Sequence, residues 1–214
     1  PVVNAGPNQS ICQGTSATLT ASAGVSYLWS NGATTQSTVV SPLTGSMYYV
    51  TVTDANGCTG TDSLRIFVRP NPTANAGTDK SICEGGTVTL NGTNVNLACT
   101  WTPGNQNTHS ITVSPTVTTD YIYTVTTVYG CVDSDTIRVT VHPLPLADAG
   151  PDQMICDGST ATLMATGGAT YYWTPTGANT STIYVNPTLP TVYSVVVTDA
   201  FGCSATDTVS IGIN

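Results

Sequence analysis

Seven cysteines are the residues in this chain best suited to chemistry. Six of them form pairs of nearly equal spacing, 46, 48 and 47 positions apart. Such spacing predicts disulfides, and with them an oxidising compartment. A zinc site would need Cys and His clustered at short spacing, which the sequence lacks. The predicted bonds are Cys12–Cys58, Cys83–Cys131 and Cys156–Cys203.

Cys99 is the odd cysteine. It stands two residues before Trp101, where related stretches have Tyr27 and Tyr171. Residues two apart on a strand share a face, so Cys99 should point inward with Trp101. We predict a buried free thiol, with repacking around Leu97 or Tyr123. The competing hypothesis is an interchain disulfide.

Histidines and acids offer little for catalysis. His109 aligns with Ser37 and Ser181, and His142 lies in a proline-rich linker, so both are interpreted as surface histidines. No hydrolytic triad or glycine-rich phosphate loop is evident. The chain is therefore predicted to be non-enzymatic, without a cofactor.

The acids are interpreted mostly as turn residues, because Asp side chains accept hydrogen bonds from nearby backbone amides. Asp54 and Asp199 should cap hairpins, and Asp79 and Asp152 should lie in opening turns. A calcium site of Asp152 with linker carbonyls is the one metal alternative left open, since calcium prefers oxygen ligands; no ligand set for a metal is predicted.

One hairpin motif recurs three times and organises the chain. Each copy is a strand rich in β-branched and aromatic residues, then a turn closed by Gly57, Gly130 or Gly202, then a cysteine. No stretch has a helical period, and turns recur every eight to twelve residues. The sequence predicts an all-β fold of three tandem β-sandwich domains, at 1–70, 71–143 and 144–214. Trp29, Trp101 and Trp173, spaced by 72, should fill the three cores.

The linkers carry two prolines each, in Val68-Arg-Pro-Asn-Pro72 and Val141-His-Pro-Leu-Pro145. Proline favours extended backbone, so the linkers should be stiff and the array an elongated rod. The chain begins and ends in phase with its repeat, which suggests a segment of a longer array with targeting signals elsewhere.

The amino-acid composition argues against nucleic acid and membrane as partners of this chain. Charged residues are 7% of the chain, the net charge is -8, and only four basic side chains are present. Binding to nucleic acid by phosphate neutralisation is thus not expected. No run of about 18 apolar residues is present, so membrane insertion is not expected either.

The motifs Tyr27-Leu-Trp-Ser-Asn-Gly-Ala-Thr-Thr35, Val52-Thr-Asp-x-x-Gly-Cys58 and Ala149-Gly-Pro-Asp-Gln153 resemble the Ig-like/PKD-like repeats of secreted surface proteins of Bacteroidota, including gliding-motility adhesins. The Trp-Asp-Phe-Gly-Asp-Gly core of PKD domains is absent, so only PKD-like relatives fit. The resemblance implies export through a separate C-terminal domain. It also implies an O-glycosylation motif, Asp-Ser/Thr-aliphatic, at Ser63, Thr136 and Thr208.

These observations predict a non-enzymatic extracellular repeat segment of a large cell-surface adhesin, stalk or filament. Its expected partners are neighbouring repeats of the same protein, further copies in a filament, or surface glycans. The alternative is an accessory spacer or glycan-binding region of a secreted polysaccharide-degrading enzyme. Glycan binding would need exposed aromatics recurring at one place, yet Tyr172 aligns with Leu28 and Thr100.

Overall fold

A computed structural model describes all 214 residues and contains strands, turns and no helix. The all-β prediction is therefore confirmed. No segment forms the kind of long apolar helix that crosses a membrane.

Each sequence repeat contributes six strands. The first contains β1 (Gln9–Cys12), β2 (Ala17–Thr20), β3 (Ser26–Trp29), β4 (Ser37–Val40), β5 (Ser46–Thr53) and β6 (Thr59–Arg69). The second contains β7 (Lys80–Cys83), β8 (Val88–Asn91), β9 (Ala98–Thr102), β10 (Ser110–Val113), β11 (Thr119–Thr126) and β12 (Val132–His142). The third contains β13 (Gln153–Ile155), β14 (Ala161–Met164), β15 (Thr170–Thr174), β16 (Thr182–Val185), β17 (Thr191–Thr198) and β18 (Ser204–Ile213).

The strands form the same pair of sheets in each repeat. Four-stranded sheets have the orders β1-β6-β5-β3, β7-β12-β11-β9 and β13-β18-β17-β15, and two-stranded sheets join β2 to β4, β8 to β10 and β14 to β16. The first strand of each repeat pairs in parallel with the last strand of the same repeat. Antiparallel pairing joins β5 to β6, β15 to β17 and β17 to β18.

Two-layer cores follow from strand alternation, because successive side chains point to opposite faces. In the first repeat, residues of both sheets meet in one cluster that includes Leu19, Trp29, Val50 and Ile66. The third repeat has the matching cluster, with Leu163, Trp173, Val195 and Ile211. These two repeats are β-sandwiches.

The chain divides into two compact units. One comprises Pro1–Gly77, Asn91–Ile111 and Ile122–Thr136; the other comprises Thr78–Leu90, Thr112–Tyr121 and Ile137–Asn214. The second repeat contributes to both units, so the units do not coincide with the three repeats. The domain boundaries at 70 and 143 stay a prediction.

Candidate functional site: the junctions between repeats

The hairpin turn holds its cysteine through an aspartate cap. Asp54 Oδ1 accepts hydrogen bonds from the amides of Asn56 and Cys58, at 2.9 and 3.0 Å. Asp199 Oδ1 does the same for Phe201 and Cys203, at 2.8 and 2.9 Å. The glycine before each cysteine has a positive φ, 79° to 85°, as the turn requires. The predicted hairpin caps are thus confirmed.

The opening cysteine of each repeat lies at the other end of the long last strand. Cys12 pairs with Arg69 in the β1–β6 register, and Cys83 pairs with His142 in the β7–β12 register. Both partners are the final residues of their strands. The opening cysteine therefore lies beside the linker to the next repeat.

The disulfides join different repeats, so the predicted pairing within repeats is wrong. Cys12 bonds Cys131, 119 positions later, and Cys83 bonds Cys203, 120 positions later. Of the six cysteines that were expected to be bonded, Cys58 and Cys156 are free and exposed.

The physical reason is the length of the last strand. Cys58 immediately precedes β6, whose 11 residues end beside Cys12. At about 3.3 Å per residue, the two cysteines lie on the order of 30 Å apart. A disulfide needs Cα atoms about 5.5–6 Å apart, so the two cysteines of one repeat cannot bond.

A stacked pair of side chains accompanies each disulfide. The Arg69 guanidinium lies 3.9 Å from the centre of the Tyr129 ring. The His142 and Phe201 rings stack with centroids 4.0 Å apart and an interplanar angle of 14°. In both cases the last residue of a last strand contacts the residue before the hairpin glycine of the following repeat. Such cation–π and aromatic contacts contribute about 0.5–1.5 kcal/mol each.

Sequence reasoning missed this function of Arg69, Tyr129, His142 and Phe201. His142 had been interpreted only as a surface histidine; it is half-buried against Phe201. The signal available was the recurrence of a ring before the hairpin glycine in two repeats, and the near-identical separations of 119 and 120 between cysteines of neighbouring repeats.

Cys99 forms no disulfide and is buried, with 7% of its surface exposed. Its Sγ lies 3.9 Å from His109 Nε2, and His109 Nδ1 lies 2.7 Å from the Tyr123 hydroxyl. The hydroxyl donates to the Thr93 carbonyl at 2.7 Å. One proton assignment satisfies every group: thiol to Nε2, Nδ1–H to the Tyr123 oxygen, and hydroxyl to Thr93.

His109 is therefore half-buried and hydrogen-bonded, which corrects its interpretation as a simple surface histidine. Burial raises the pKa of Tyr123 to about 12, and the neighbouring Cys99 sulfur shifts the pKa of Tyr123 in the same direction. A Cys–His pair resembles a nucleophile with its base. Here the thiol is enclosed in the sandwich, so the cluster is best understood as core packing.

The three tryptophans are fully buried, with at most 1% of their surface exposed. Trp29 Nε1 donates to the Thr35 carbonyl and Trp173 Nε1 to the Thr180 carbonyl, both at 3.0 Å. Trp101 instead packs on Tyr123, with ring centroids 4.7 Å apart, and its Nε1 has no partner.

The aspartates of the Asp-Ser/Thr-aliphatic motif anchor the start of each repeat. Asp62, Asp135 and Asp207 accept hydrogen bonds through Oδ2 from the amides of Ala5, Ala76 and Ala149, each at 2.8 Å. The amide of Ala5 lowers the pKa of Asp62, and the amide of Ala149 that of Asp207. Of the adjoining hydroxyl residues, Thr136 and Thr208 are exposed and Ser63 is half-buried.

Metal and ligand candidates are few. No three His, Cys, Asp or Glu side chains are grouped so that they could hold a metal ion. Asp152 Oδ1 accepts a hydrogen bond from the Ser210 amide at 2.8 Å, which ties the opening segment of the third repeat to β18. A surface cavity of about 300 Å³ lies beside β13 and β18, and its lining, including Met154, Pro190 and Ile211, contains no aromatic ring on which a sugar could stack.

No protein-family model matches the chain, and no curated protein does either. Among solved structures, immunoglobulin domains 1–4 of Sidekick-1 align at 14% identity and a TM-score of 0.37, over 98% of this chain and 74% of that one. The I9–I11 tandem from titin aligns at 13% identity and a TM-score of 0.34, over 99% of both chains.

The N-terminal eight Ig domains of Down Syndrome Cell Adhesion Molecule align at 12% identity and a TM-score of 0.35, over 99% of this chain and 35% of that one. All three are tandem Ig-domain proteins. TM-scores this low carry no functional argument.

Proposed function

We propose that the chain is a non-enzymatic, force-transmitting segment of an extracellular adhesin, stalk or filament. The observation that carries the proposal is the pair of disulfides between successive repeats. Disulfides form and persist in oxidising environments outside the cytosol, which supports a location at the cell surface. The sequence resemblance supports a surface protein of the gliding-motility adhesin type.

The two bonds interlock along the sequence, because Cys83 lies inside the Cys12–Cys131 loop and Cys131 lies inside the Cys83–Cys203 loop. When the unfolded chain is pulled by its ends, three segments connect the two disulfides: 12–83, 83–131 and 131–203. The shortest, 83–131, spans about 48 residues, so it becomes taut first and carries the load. A force-bearing segment built this way extends far less on unfolding than the same chain without the bonds.

Single-molecule pulling tests the proposal. With Cys58 and Cys156 replaced by Ser, the fully extended oxidised chain should measure about 250 Å, for about 70 residues at ~3.6 Å each. The reduced chain should reach about 770 Å. An oxidised chain that extends as far as the reduced one would contradict the proposal.

Location requires a separate experiment. An antibody against the purified chain should label intact cells of the native host, and the label should be lost after mild surface proteolysis. Labelling that appears only after the cells are made permeable would contradict an extracellular function.

We also propose glycosylation of Ser63, Thr136 and Thr208, supported by the sequence motif and by the exposure of the two threonines. Native material should exceed the mass of the bare sequence, with the excess lost in the triple alanine variant. A bare mass from the native host would contradict modification.

A further inference from the structure

Each junction brings together two different poles of a repeat. The linker pole consists of the opening cysteine and the last residue of the last strand: Cys12 with Arg69, or Cys83 with His142. The hairpin pole consists of the hairpin cysteine and the residue two positions before it: Cys131 with Tyr129, or Cys203 with Phe201. The same pairing of poles occurs twice, so it is a rule of this repeat.

Two poles of the chain have no partner. The first repeat has a hairpin pole at Cys58, and the third has a linker pole at Cys156. Both cysteines are exposed, whereas the bonded Cys131 and Cys203 are each 1% exposed. Burial of a hairpin cysteine therefore accompanies its bonding to another repeat.

The unpartnered hairpin pole already has the geometry of a bonded one. Asp54 caps Cys58 at 3.0 Å as Asp199 caps Cys203 at 2.9 Å, and the φ values of Gly57 and Gly202 are 79° and 85°. At the unpartnered linker pole, Ile155 pairs with Ile213 in the same parallel arrangement that sets Cys83 beside His142. Both free thiols are thus presented as their bonded counterparts are.

We propose that Cys58 and Cys156 are the two halves of one more inter-repeat disulfide, each taking the complementary cysteine of another repeat of this type. Two thiols become one disulfide, and their two electrons and two protons reduce a small-molecule disulfide such as oxidised glutathione to two thiols. Asn56 and Asn214 stand where bonded junctions have ring-stacking partners, so attachment at these poles depends on the covalent bond.

The first experiment uses complementary single variants of the full chain. Cys58→Ser and Cys156→Ser are each incubated alone, and then mixed in equal amounts, with oxidised and reduced glutathione. Neither variant alone should form a covalent dimer, and the mixture should form a dimer that peptide mapping assigns to Cys58–Cys156. A dimer of equal yield in either single variant alone would show that the thiols pair without pole specificity, and would overturn the proposal.

A second experiment tests the same bond within one chain. Residues 70–143 are repeated after Asn214, which adds a fourth repeat with its own linker and hairpin cysteine. Cys156 should bond that added copy of Cys131, leaving Cys58 free. If Cys156 forms its disulfide only in the chain with the added repeat, its partner is a neighbouring repeat of the same chain. If Cys156 also bonds Cys58 in the mixture of variants, a repeat of a second chain can be the partner too. If Cys156 stays free in both experiments, the proposal is wrong, whereas the pulling experiment, which lacks both thiols, is unaffected.

Discussion

Cysteine shows how one residue type takes several functions in this chain. Cys12, Cys83, Cys131 and Cys203 link repeats, Cys58 and Cys156 are exposed thiols, and Cys99 fills a core. Position in the repeat decides between them. The first two groups lie beside the ends of the long last strand of a repeat, and Cys99 lies at an inward position of β9. Their reactivities should differ accordingly, because a reagent must reach the sulfur.

Thiol labelling tests this division. The native protein should react quickly at two thiols, Cys58 and Cys156, and at a third only after unfolding without reductant, because Cys99 is buried. Peptide mapping of the labelled sites provides the count for each cysteine. Cys99→Ala should lose the slow site alone. A total of one thiol per chain would restore the pairing within repeats and contradict the structure.

Tyr123 should make the protein sensitive to alkali. Its pKa is about 12 in the folded chain against about 10 when unfolded, so the folded state holds the phenol proton more strongly. This contribution is complete below pH 10 and is lost as the pH rises from 10 through 12; over that range it amounts to about 2 kcal/mol.

The measurement is the free energy of unfolding as a function of pH. Tyr123→Phe should flatten the fall between pH 10 and 12, and Tyr172→Phe, which alters an exposed ring, should not. A Tyr123→Phe profile parallel to that of the parent chain would show that this hydroxyl does not titrate with unfolding.

At the scale of the element, the second repeat packs its core by a coordinated exchange. Tyr123 stands opposite Trp101 on β11, where the other repeats have Val50 and Val195 opposite their tryptophans. A Cβ on Gly92 would lie 2.3 Å from Tyr123 Cζ. The ring lost at Cys99 has thus moved across the sheet, and Gly92 provides its space.

Gly92→Ala should therefore destabilise the protein by about 1–3 kcal/mol, because the core cannot accept the methyl group without displacing the ring. The triple variant Gly92→Ala, Cys99→Tyr, Tyr123→Val recreates the combination Ala21, Tyr27, Val50 of the first repeat and should recover most of that loss. Chemical denaturation measures both. If the loss of stability in the triple variant equals the sum of the losses from its three single substitutions, the three positions are not coupled and the proposed exchange is wrong.

The repeat period of the sequence predicted the core positions correctly, but the same period led to the wrong disulfide pairing. The recurrence of Trp29, Trp101 and Trp173 predicted that they fill cores, and alternation predicted an inward Cys99, and all four side chains are buried. The disulfides depended on a parallel pairing of β1 with β6 that no local pattern encodes. Without that register, Cys12 and Cys58 looked like neighbours, although a full strand length separates them.

Contacts between repeats were hidden for a related reason. Arg69 and Tyr129 lie 60 positions apart and belong to different repeats, so no periodicity within a repeat connects them. The Cys99 environment was partly accessible, since an inward thiol beside Trp101 requires a nearby residue to fill the volume. That the residue is Tyr123, held by His109, depended on the β9–β11 register.

At the scale of the whole molecule, each linker is restrained by more than its prolines. The Asn71 side chain donates to the Gln13 carbonyl at 3.1 Å, and the Cys12–Cys131 bond closes the same junction. The rod of three domains in series stays a prediction from the sequence, and small-angle scattering tests it with an expected maximum dimension on the order of 100 Å. In the quadruple variant, Ser replaces Cys12, Cys131, Cys83 and Cys203. Each sandwich should stay folded, but the distribution of lengths should broaden, because each junction loses its covalent bond. The control is Cys58→Ser with Cys156→Ser, which removes two thiols and no junction bond and should scatter like the parent chain. A compact profile for the oxidised protein would contradict the rod, and identical profiles with and without the bonds would show that the linkers alone set its stiffness.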